Sequence, residues 1–532
     1  MAVHHTRSNI PLKPLYTPED IKSVDYDTHL SAPGSYPYTR GRHARAGVGW
    51  IQRELSGEGD PERSNEQLKS LIAKGQTGID VIADSPSNAL LDPDHPMAVN
   101  SIGTQGVSIC CLQDFRELWK DLPLESITIS NSIPAIFTVA ALYIIAKENN
   151  IPPENLRGSV IQAPFYGEDC GYATHMPFRL RLRLASDSIE FCAKTMPKFH
   201  SFVEDTYFFS EAGFDAVEEM AFGFIEIRHI VRDLLRRGVD IDSFAPRIAI
   251  LVNCGMDFFE EIAKIRASRR LFAKMMKEEF GAKDRRSLSA VFTCHTSGLS
   301  LTAQQPVNNI VRGSIQTLAL VLAGVQAIEI SAFDEAYRTP SPESHLVGLR
   351  TQQVIELETN VTKVVDPLGG SYYLESMTND MEKRIWDMVM EIEAKGDPAE
   401  LSDKGWFKQF FDDVMARYAK QIRDGDLPKV GLNCHQIPDE EDTLLKDVAE
   451  TKIEPCWDRI EKIKEYKKSR AQDDIKGVLQ ACYQKAKNED ENMMDQIIRG
   501  MEMGATIGEM AGVMRMAYDF PYDPHGLMEL PL

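Results

Sequence analysis

The sequence lacks any run of about 18 apolar residues, the length a membrane-spanning helix requires. It also lacks a CxxC pair. Its nine cysteines are an odd number and include the adjacent Cys110 and Cys111, which argues for free thiols in a reducing, cytoplasmic setting. Positive charge is short: 59 Lys+Arg stand against 80 Asp+Glu, a formal net charge of −21. A chain that acidic is a poor partner for nucleic acid or an anionic membrane. The first twenty residues have neither the apolar stretch nor the cleavage site of a secretory leader. No GxSxG elbow, P-loop, HExxH or metal-spaced Cys/His cluster occurs, so no standard signature names a reaction.

What is present is a long globular sequence of 532 residues, 43% hydrophobic and 26% charged. Residues 1–60 are rich in Pro, Gly, Tyr and charge and read as an N-terminal arm. From there to residue 375, short β-branched runs alternate with amphipathic helices. The runs are 79–84, 107–110, 127–132, 159–164, 203–208, 248–253, 291–297 and 327–333; helices are expected over 135–150, 216–238 and 257–280. Eight β-then-α units predict the α/β class and a (β/α)8 TIM-type barrel, with an open doubly wound sheet as the alternative. Residues 376–532 read as a helical C-terminal region broken by a loop at 428–442, suited to docking a partner or subunit.

In a parallel barrel the site forms at the C-terminal strand ends. Those ends carry Asp84, Cys110, Asn131, Ser132, Gln162, Tyr207, Asn253, His295, Thr296 and Ser331, with Glu335 one turn further. Any one of these is more often a structural polar group; their coincidence points to a site but not to a reaction. His295 can be a general base, a cofactor contact or a packed core histidine. Gly369-Gly370 lacks GxGxxG spacing, and Cys110-Cys111 read as small apolar fillers. A polar mouth without an acid/base pair suits chemistry carried by a cofactor.

The stretches IPLKPLYTPED (10–20), YPYTRG (36–41), GQTGIDVIAD (75–84), LDPDHP (91–96), DIDSFAPRIA (240–249), GMDFFEEIAKIRASRRLFAK (255–274), TSGLSLTAQQPVNNIVR (296–312), FDEA (333–336) and DPLGGSYYLE (366–375) occur in one order over most of the chain. In these it resembles the large, substrate-binding part of adenosylcobalamin-dependent acyl-CoA mutases, the methylmalonyl-CoA mutase family. The resemblance implies a barrel threaded by acyl-CoA, with adenosylcobalamin at its mouth and a radical 1,2-rearrangement. It implies that Gln162 and Tyr207 contact substrate. Ser130 and Ser132 match its small hydroxyl lining, and Arg247 its CoA-phosphate arginine. Glu211 and Gly298 match corrin-facing positions, and Glu335, followed by Ala336, the adenosyl-ribose glutamate. The family's cobalt-binding DxHxxG motif is absent here, so the expected partner is a separate small cobalamin-binding subunit, in an α2β2 hetero-oligomer.

The departures bear on substrate. The family's tyrosine beside the substrate is Leu55, its carboxylate-binding arginine falls near Tyr172, and its histidine beside the migrating group is Phe208. A glutamine near the acyl and cofactor groups becomes His295, and an adenosyl-contacting asparagine becomes Ser331. Tyrosine cannot neutralise a buried carboxylate as a bidentate arginine does. The expected acyl group is therefore bulkier or more apolar than methylmalonyl: an alkyl- or benzyl-substituted malonyl or succinyl thioester. Small branched acyl-CoAs (isobutyryl-, 2-hydroxyisobutyryl-, pivaloyl-) come next, and a non-catalytic acyl-CoA-binding or scaffolding paralogue is the reading of another class. Arg179, Arg181, His175 and His295 are the candidates to face a substrate carboxylate.

Overall fold

The computed structural model describes residues 4–167, 174–442, 450 and 452–531. A two-residue antiparallel pair, β1 (His4–His5) with β2 (Pro11–Leu12), opens the chain. Nine further strands follow: β3 (Ile51–Arg53), β4 (Leu55–Ser56), β5 (Gly78–Val81), β6 (Thr128–Asn131), β7 (Gly158–Gln162), β8 (Phe199–Asp205), β9 (Ile248–Cys254), β10 (Val291–Thr296) and β11 (Ala327–Glu329). They form one sheet in the order β3-β11-β10-β9-β8-β7-β6-β5-β4, and the registered pairs are parallel. The sheet begins on β3 and ends on β4, which only Glu54 separates, so the order is that of a nearly closed TIM-type barrel. Among the described residues no helix is long and apolar enough to cross a membrane.

The sheet has nine strands where eight runs were expected, and its membership changes. The pair β3 and β4 lies in WIQRELS, where the composition had suggested an arm. Residues 107–110 make no strand. Val107 forms single bridges to Gly59 and Ala83, and the N–H groups of Cys110 and Cys111 turn to the Asp114 carboxylate (2.8 and 3.2 Å). That acid caps the helix Leu112–Leu118, and a side-chain cap competes with a sheet ladder for the same N–H groups. The strand expected over 203–208 is β8, which ends at Asp205; Thr206 turns, donating its hydroxyl to the Leu251 carbonyl (2.9 Å), and Tyr207 opens the helix Tyr207–Glu211.

The chain divides into two compact units, Met1–Glu54 with Glu204–Thr451, and Leu55–Val203 with Lys452–Leu532. In the first, the helix Trp406–Asp424 sets Phe407, Phe410 and Phe411 against Phe214 and Phe222. Its Asp366, in the DPLGG loop, takes Arg40 (2.7 Å) and Arg266 (2.6 Å), so that motif is an ion-pair hub.

In the second unit, Ile79, Val81, Ile129 and Val160 from the strands share a core with Phe137 and Ile145 of the helix Ala135–Glu148. Ile475, Leu479, Met494 and Met510, from the helices Gln472–Lys487, Met494–Glu502 and Ile507–Ala517, complete it. These C-terminal helices supply part of the core of their own unit. Buried Arg183 takes up the Ala486, Asn488 and Glu491 carbonyls (2.6–2.7 Å) where the first of them ends.

Candidate active site

In the first unit the site is built around Glu211, at the end of the helix after β8. One carboxylate oxygen accepts from the Asn253 amide (2.6 Å) and the Ser297 hydroxyl (2.9 Å); the other accepts from the Leu299 N–H (2.7 Å). Asn253 at the end of β9 is itself fixed from below. Its N–H donates to Glu219 (3.0 Å) and its carbonyl accepts from Lys264 (2.8 Å), a fully buried lysine paired with Glu219 (2.7 Å) and Glu261 (2.6 Å). The turn after β10 is held from both sides: Glu211 takes the Leu299 N–H and Lys429 donates to the Leu299 carbonyl.

Gly298 lies in that turn. A Cβ there would stand 3.1 Å from a Glu211 carboxylate oxygen and 3.5 Å from both Glu335 and the Tyr207 hydroxyl. Glycine therefore keeps open a cradle whose rim is two carboxyls and a phenol. Glu335, after β11, accepts the Ala332 N–H (2.9 Å), with Ala336 exposed beside it. Burial pushes the Glu335 carboxyl up to about 8; Glu211 and Asp334 add to this, and the Ala332 N–H opposes it. Burial also raises Glu211, against the hydrogen bonds from Ser297, Asn253 and Leu299. Tyr207 is held well above its ordinary value by burial and then by Glu211, Glu335 and Glu329.

His295 meets Tyr207 edge-on, with ring centroids 4.7 Å apart. Its Nδ1 lies 3.0 Å from the Thr296 carbonyl, which assigns a proton to that nitrogen and turns Nε2 towards Glu329 (3.7 Å). Ser331 is 3.3 Å from the same Nδ1 and donates to the Thr296 carbonyl (2.7 Å). Phe208 lies beside Tyr207, centroids 5.6 Å apart. The structure thus brings together Tyr207, Phe208, Glu211, His295, Gly298, Ser331 and Glu335. Arg247 is not among them. It precedes β9, at the opposite strand end, where Arg42, hydrogen-bonded to the Ser289 carbonyl (3.0 Å), has its pKa lowered by burial and then by Arg247.

The second unit places different chemistry at its strand ends. Leu55 is registered with Asp80, and Asp80 with Ser130. The Ser132 N–H donates to the Val81 carbonyl (3.0 Å), and the Asn131 amide donates to the Ser159 carbonyl (3.1 Å). Gln162 ends β7 and donates its amide to Ser188 (3.1 Å) and to the Ser201 carbonyl (2.5 Å). Ser132, Gln162 and Arg181 line one apolar cavity of about 130 Å³ together with Leu90, Phe137 and Met176. Of the four cationic candidates, Arg181 is thus the one in this cavity; Arg179 pairs with Glu489 (3.2 Å) on the surface and His175 packs on His525. Tyr172 lies outside the described residues.

Two of the strand-end polar residues have structural roles. Asp84 caps the turn 85–88, accepting from the Ser87 and Gly103 N–H groups (2.9 and 2.7 Å). Cys110, Cys111 and Asp114 are close enough to share an ion, but Asp114 is paired with buried Arg459 (2.7 Å). Sequence reasoning missed Lys429, Ser297, Glu329 and Glu54. Lys429 sits in PKVG, a loop with no catalytic signature. Glu54, buried between β3 and β4, accepts from Gln352 (3.2 Å).

The fold and site define a TIM-type barrel protein whose strand ends present carboxyls, a phenol and an imidazole in one unit and hydroxyls and amides in the other. The chain belongs to the methylmalonyl-CoA mutase family: residues 5–520 match the family described as "Methylmalonyl-CoA mutase". It is 33% identical over 510 residues to the 2-hydroxyisobutanoyl-CoA mutase large subunit of Aquincola tertiaricarbonis, covering 95% of this chain and 90% of that one. It is also 33% identical to the methylmalonyl-CoA mutase of Rhizobium meliloti (strain 1021) and to the mitochondrial enzyme of Homo sapiens. Each comparison covers 97% of this chain, and 72% and 68% of the relative.

Proposed function

We propose that the chain is the substrate-binding subunit of an adenosylcobalamin-dependent acyl-CoA mutase, an isomerase that needs a small cobalamin-binding subunit, in an α2β2 assembly. Family membership supports the carbon-skeleton mutase reading, and the name of the Aquincola relative, a large subunit, supports the partner. The observation that carries it is the Gly298 cradle, open where a Cβ would crowd Glu211 and touch Glu335. A carboxyl that accepts and, near neutral pH, also donates suits ribose hydroxyls and corrin amides, so these residues fit the cofactor.

When bound, the cofactor supplies a carbon radical able to take hydrogen from an unactivated position. The protein's part is binding, orientation and exclusion of water. Glu335 and Ser331 hold hydroxyl or amide groups at the cradle. Gln162, Ser130 and Ser132 position the thioester, Tyr207 and His295 border the reacting groups, and Arg247 with Arg42 meets the CoA phosphates. Leu55 and Phe208 replace polar family residues with apolar ones, which favours an alkyl- or benzyl-substituted malonyl or succinyl thioester. A small branched acyl-CoA is the second reading, supported by the Aquincola relative's name. By the family resemblance, Ile82 counts against the hydroxylated member, since it falls where an acid to hold the hydroxyl is expected in the 2-hydroxyisobutyryl enzymes.

The test is turnover of graded acyl-CoAs by the chain assembled with a DxHxxG subunit. Benzyl- or alkyl-substituted thioesters should turn over at least ~10-fold faster than methylmalonyl-CoA, and the lone chain should be inactive. Preference for methylmalonyl-CoA would overturn the substrate reading, and activity of the lone chain the two-subunit reading.

A further inference from the structure

A second cavity of the first unit stands apart from the cradle. It measures about 940 Å³, and neither Tyr207, Glu211, Gly298 nor Glu335 lines it. Its walls come from the N-terminal residues 5–9, from Met256 and Asp257 after β9, from the first turns of the helix Asn308–Ala323 and from the stretch 418–430. Three cations converge on it: Arg7, Arg312 and Lys429. Among the described residues none of the three forms an ion pair. Arg7 donates to the Gly213 carbonyl (2.9 Å), Arg312 to the Val430 carbonyl (2.8 Å) and Lys429 to the Leu299 carbonyl. Arg7 and Lys429 also stand over the Tyr418 ring, 5.4 and 5.6 Å from its centre. Neutral acceptors orient these groups but leave their charge uncompensated. Lys264, Arg266 and Arg270 on the helix Phe258–Lys274, by contrast, each meet a carboxylate.

The acids in the wall do not make up the difference. Asp257 accepts the backbone N–H of Arg7 (3.0 Å), and Asp426 is exposed; neither pairs with the three cations. Burial and then Arg312 push the Lys429 ammonium down to about 8, against Glu211, so the cations stand close enough to repel. A chain with 80 Asp+Glu has carboxylates in plenty, yet none compensates this cluster. An anion from outside the chain would.

We propose that this cavity binds a small phosphorylated molecule of nucleotide size, its phosphates held by Arg7, Arg312 and Lys429. Guanidinium forks match phosphate oxygens in pairs, and a lysine adds a point charge. Three cations balance a diphosphate better than a single carboxylate. The volume lies near the top of the roughly 300–1,000 Å³ range of small-molecule sites, so inorganic phosphate would leave most of it empty. Met256, Val311 and Val430, 44%, 57% and 44% exposed, offer an apolar wall to the organic part. The CoA phosphates are a different case: Arg247, proposed to meet them, precedes β9, at the opposite strand end from Met256. Occupancy also bears on the cradle. Lys429 holds the Leu299 carbonyl while Glu211 holds the Leu299 N–H, and a bound phosphate competes with that carbonyl for the ammonium. The binding itself does not rest on the mutase reading.

Calorimetric titration of the full-length chain tests this, with a non-reactive acyl-CoA present at saturation so that the CoA site is occupied. The probes are uridine 5′-diphosphate, uridine and inorganic phosphate. The diphosphate should bind one per chain, at least ~10-fold tighter than inorganic phosphate, and uridine should not bind. Lys429→Gln and Arg7→Gln should each weaken the diphosphate at least ~10-fold, with melting temperatures within a few degrees of the parent. Arg236→Gln, on the surface of the same unit, should leave its affinity unchanged. No binding of the diphosphate up to ~1 mM would overturn the proposal. So would binding that both Lys429→Gln and Arg7→Gln leave intact, or inorganic phosphate binding as tightly as the diphosphate. Displacement of the diphosphate by a cobalamin-binding subunit would assign the cavity to that subunit and overturn the proposal as well.

Discussion

The strand ends of the two units solve different problems. In the unit holding β3 and β9–β11 they carry Glu54, Glu211, Glu329 and Glu335 with Tyr207 and His295; burial raises Glu54, Tyr207, Glu211 and Glu335, and neighbouring carboxylates add to the rise at Glu54, Tyr207 and Glu335. In the unit holding β4–β7 they carry Ser130, Asn131, Ser132 and Gln162, neutral groups whose nearest partners are backbone carbonyls and hydroxyls. The acidic set is costly to bury and is held by an ion network beneath it; the neutral set needs only hydrogen-bond partners. That contrast is what the proposed function expects, with the first set of ends suited to a polar cofactor and the second to a thioester chain.

The largest test of the contrast is Lys264→Met. It leaves Glu219 and Glu261 buried without their cation and should cost ~3–5 kcal/mol, read by denaturant unfolding; a loss under ~1 kcal/mol would break the claim that charge supports this half. Gly298→Val fills the cradle. Turnover of the assembled enzyme should fall at least ~10²-fold while unfolding stability changes little. Gln162→Leu leaves the Ser201 carbonyl short of its donor and should weaken acyl-CoA binding about tenfold, ~1.4 kcal/mol, with the cofactor dependence of turnover unchanged.

A further effect is on pH. Glu335 is held at about 8, against an ordinary 4.5, by burial and then by Glu211 and Asp334. Between those values the folded chain keeps a proton that the unfolded chain has lost, so stability falls as pH rises across the window. Glu335→Gln should flatten that part of the slope in melts taken from pH 5 to 8.

Much of the barrel was legible because parallel strands buried on both faces write themselves as β-branched runs, as in IAILVN and VFTCHTS. The pair β3 and β4 was not, because Gln52, Arg53 and Glu54 interrupt the apolar pattern with polar residues that find buried partners only after folding. The reverse error at VSIC arose because nothing in those four residues announces that Asp114 will claim the Cys110 and Cys111 N–H groups. At the site, Tyr207, Glu211, Gly298 and Glu335 could be named from motif order. Lys429 could not, since its contact with the Leu299 carbonyl joins positions 130 residues apart.

The most direct test of the division between strand ends is calorimetric titration of a non-reactive acyl-CoA into the Gly298→Val variant, beside turnover of the same protein with its cobalamin subunit. The account predicts acyl-CoA affinity within about twofold of the parent and turnover lost. Loss of acyl-CoA affinity in step with turnover would contradict it.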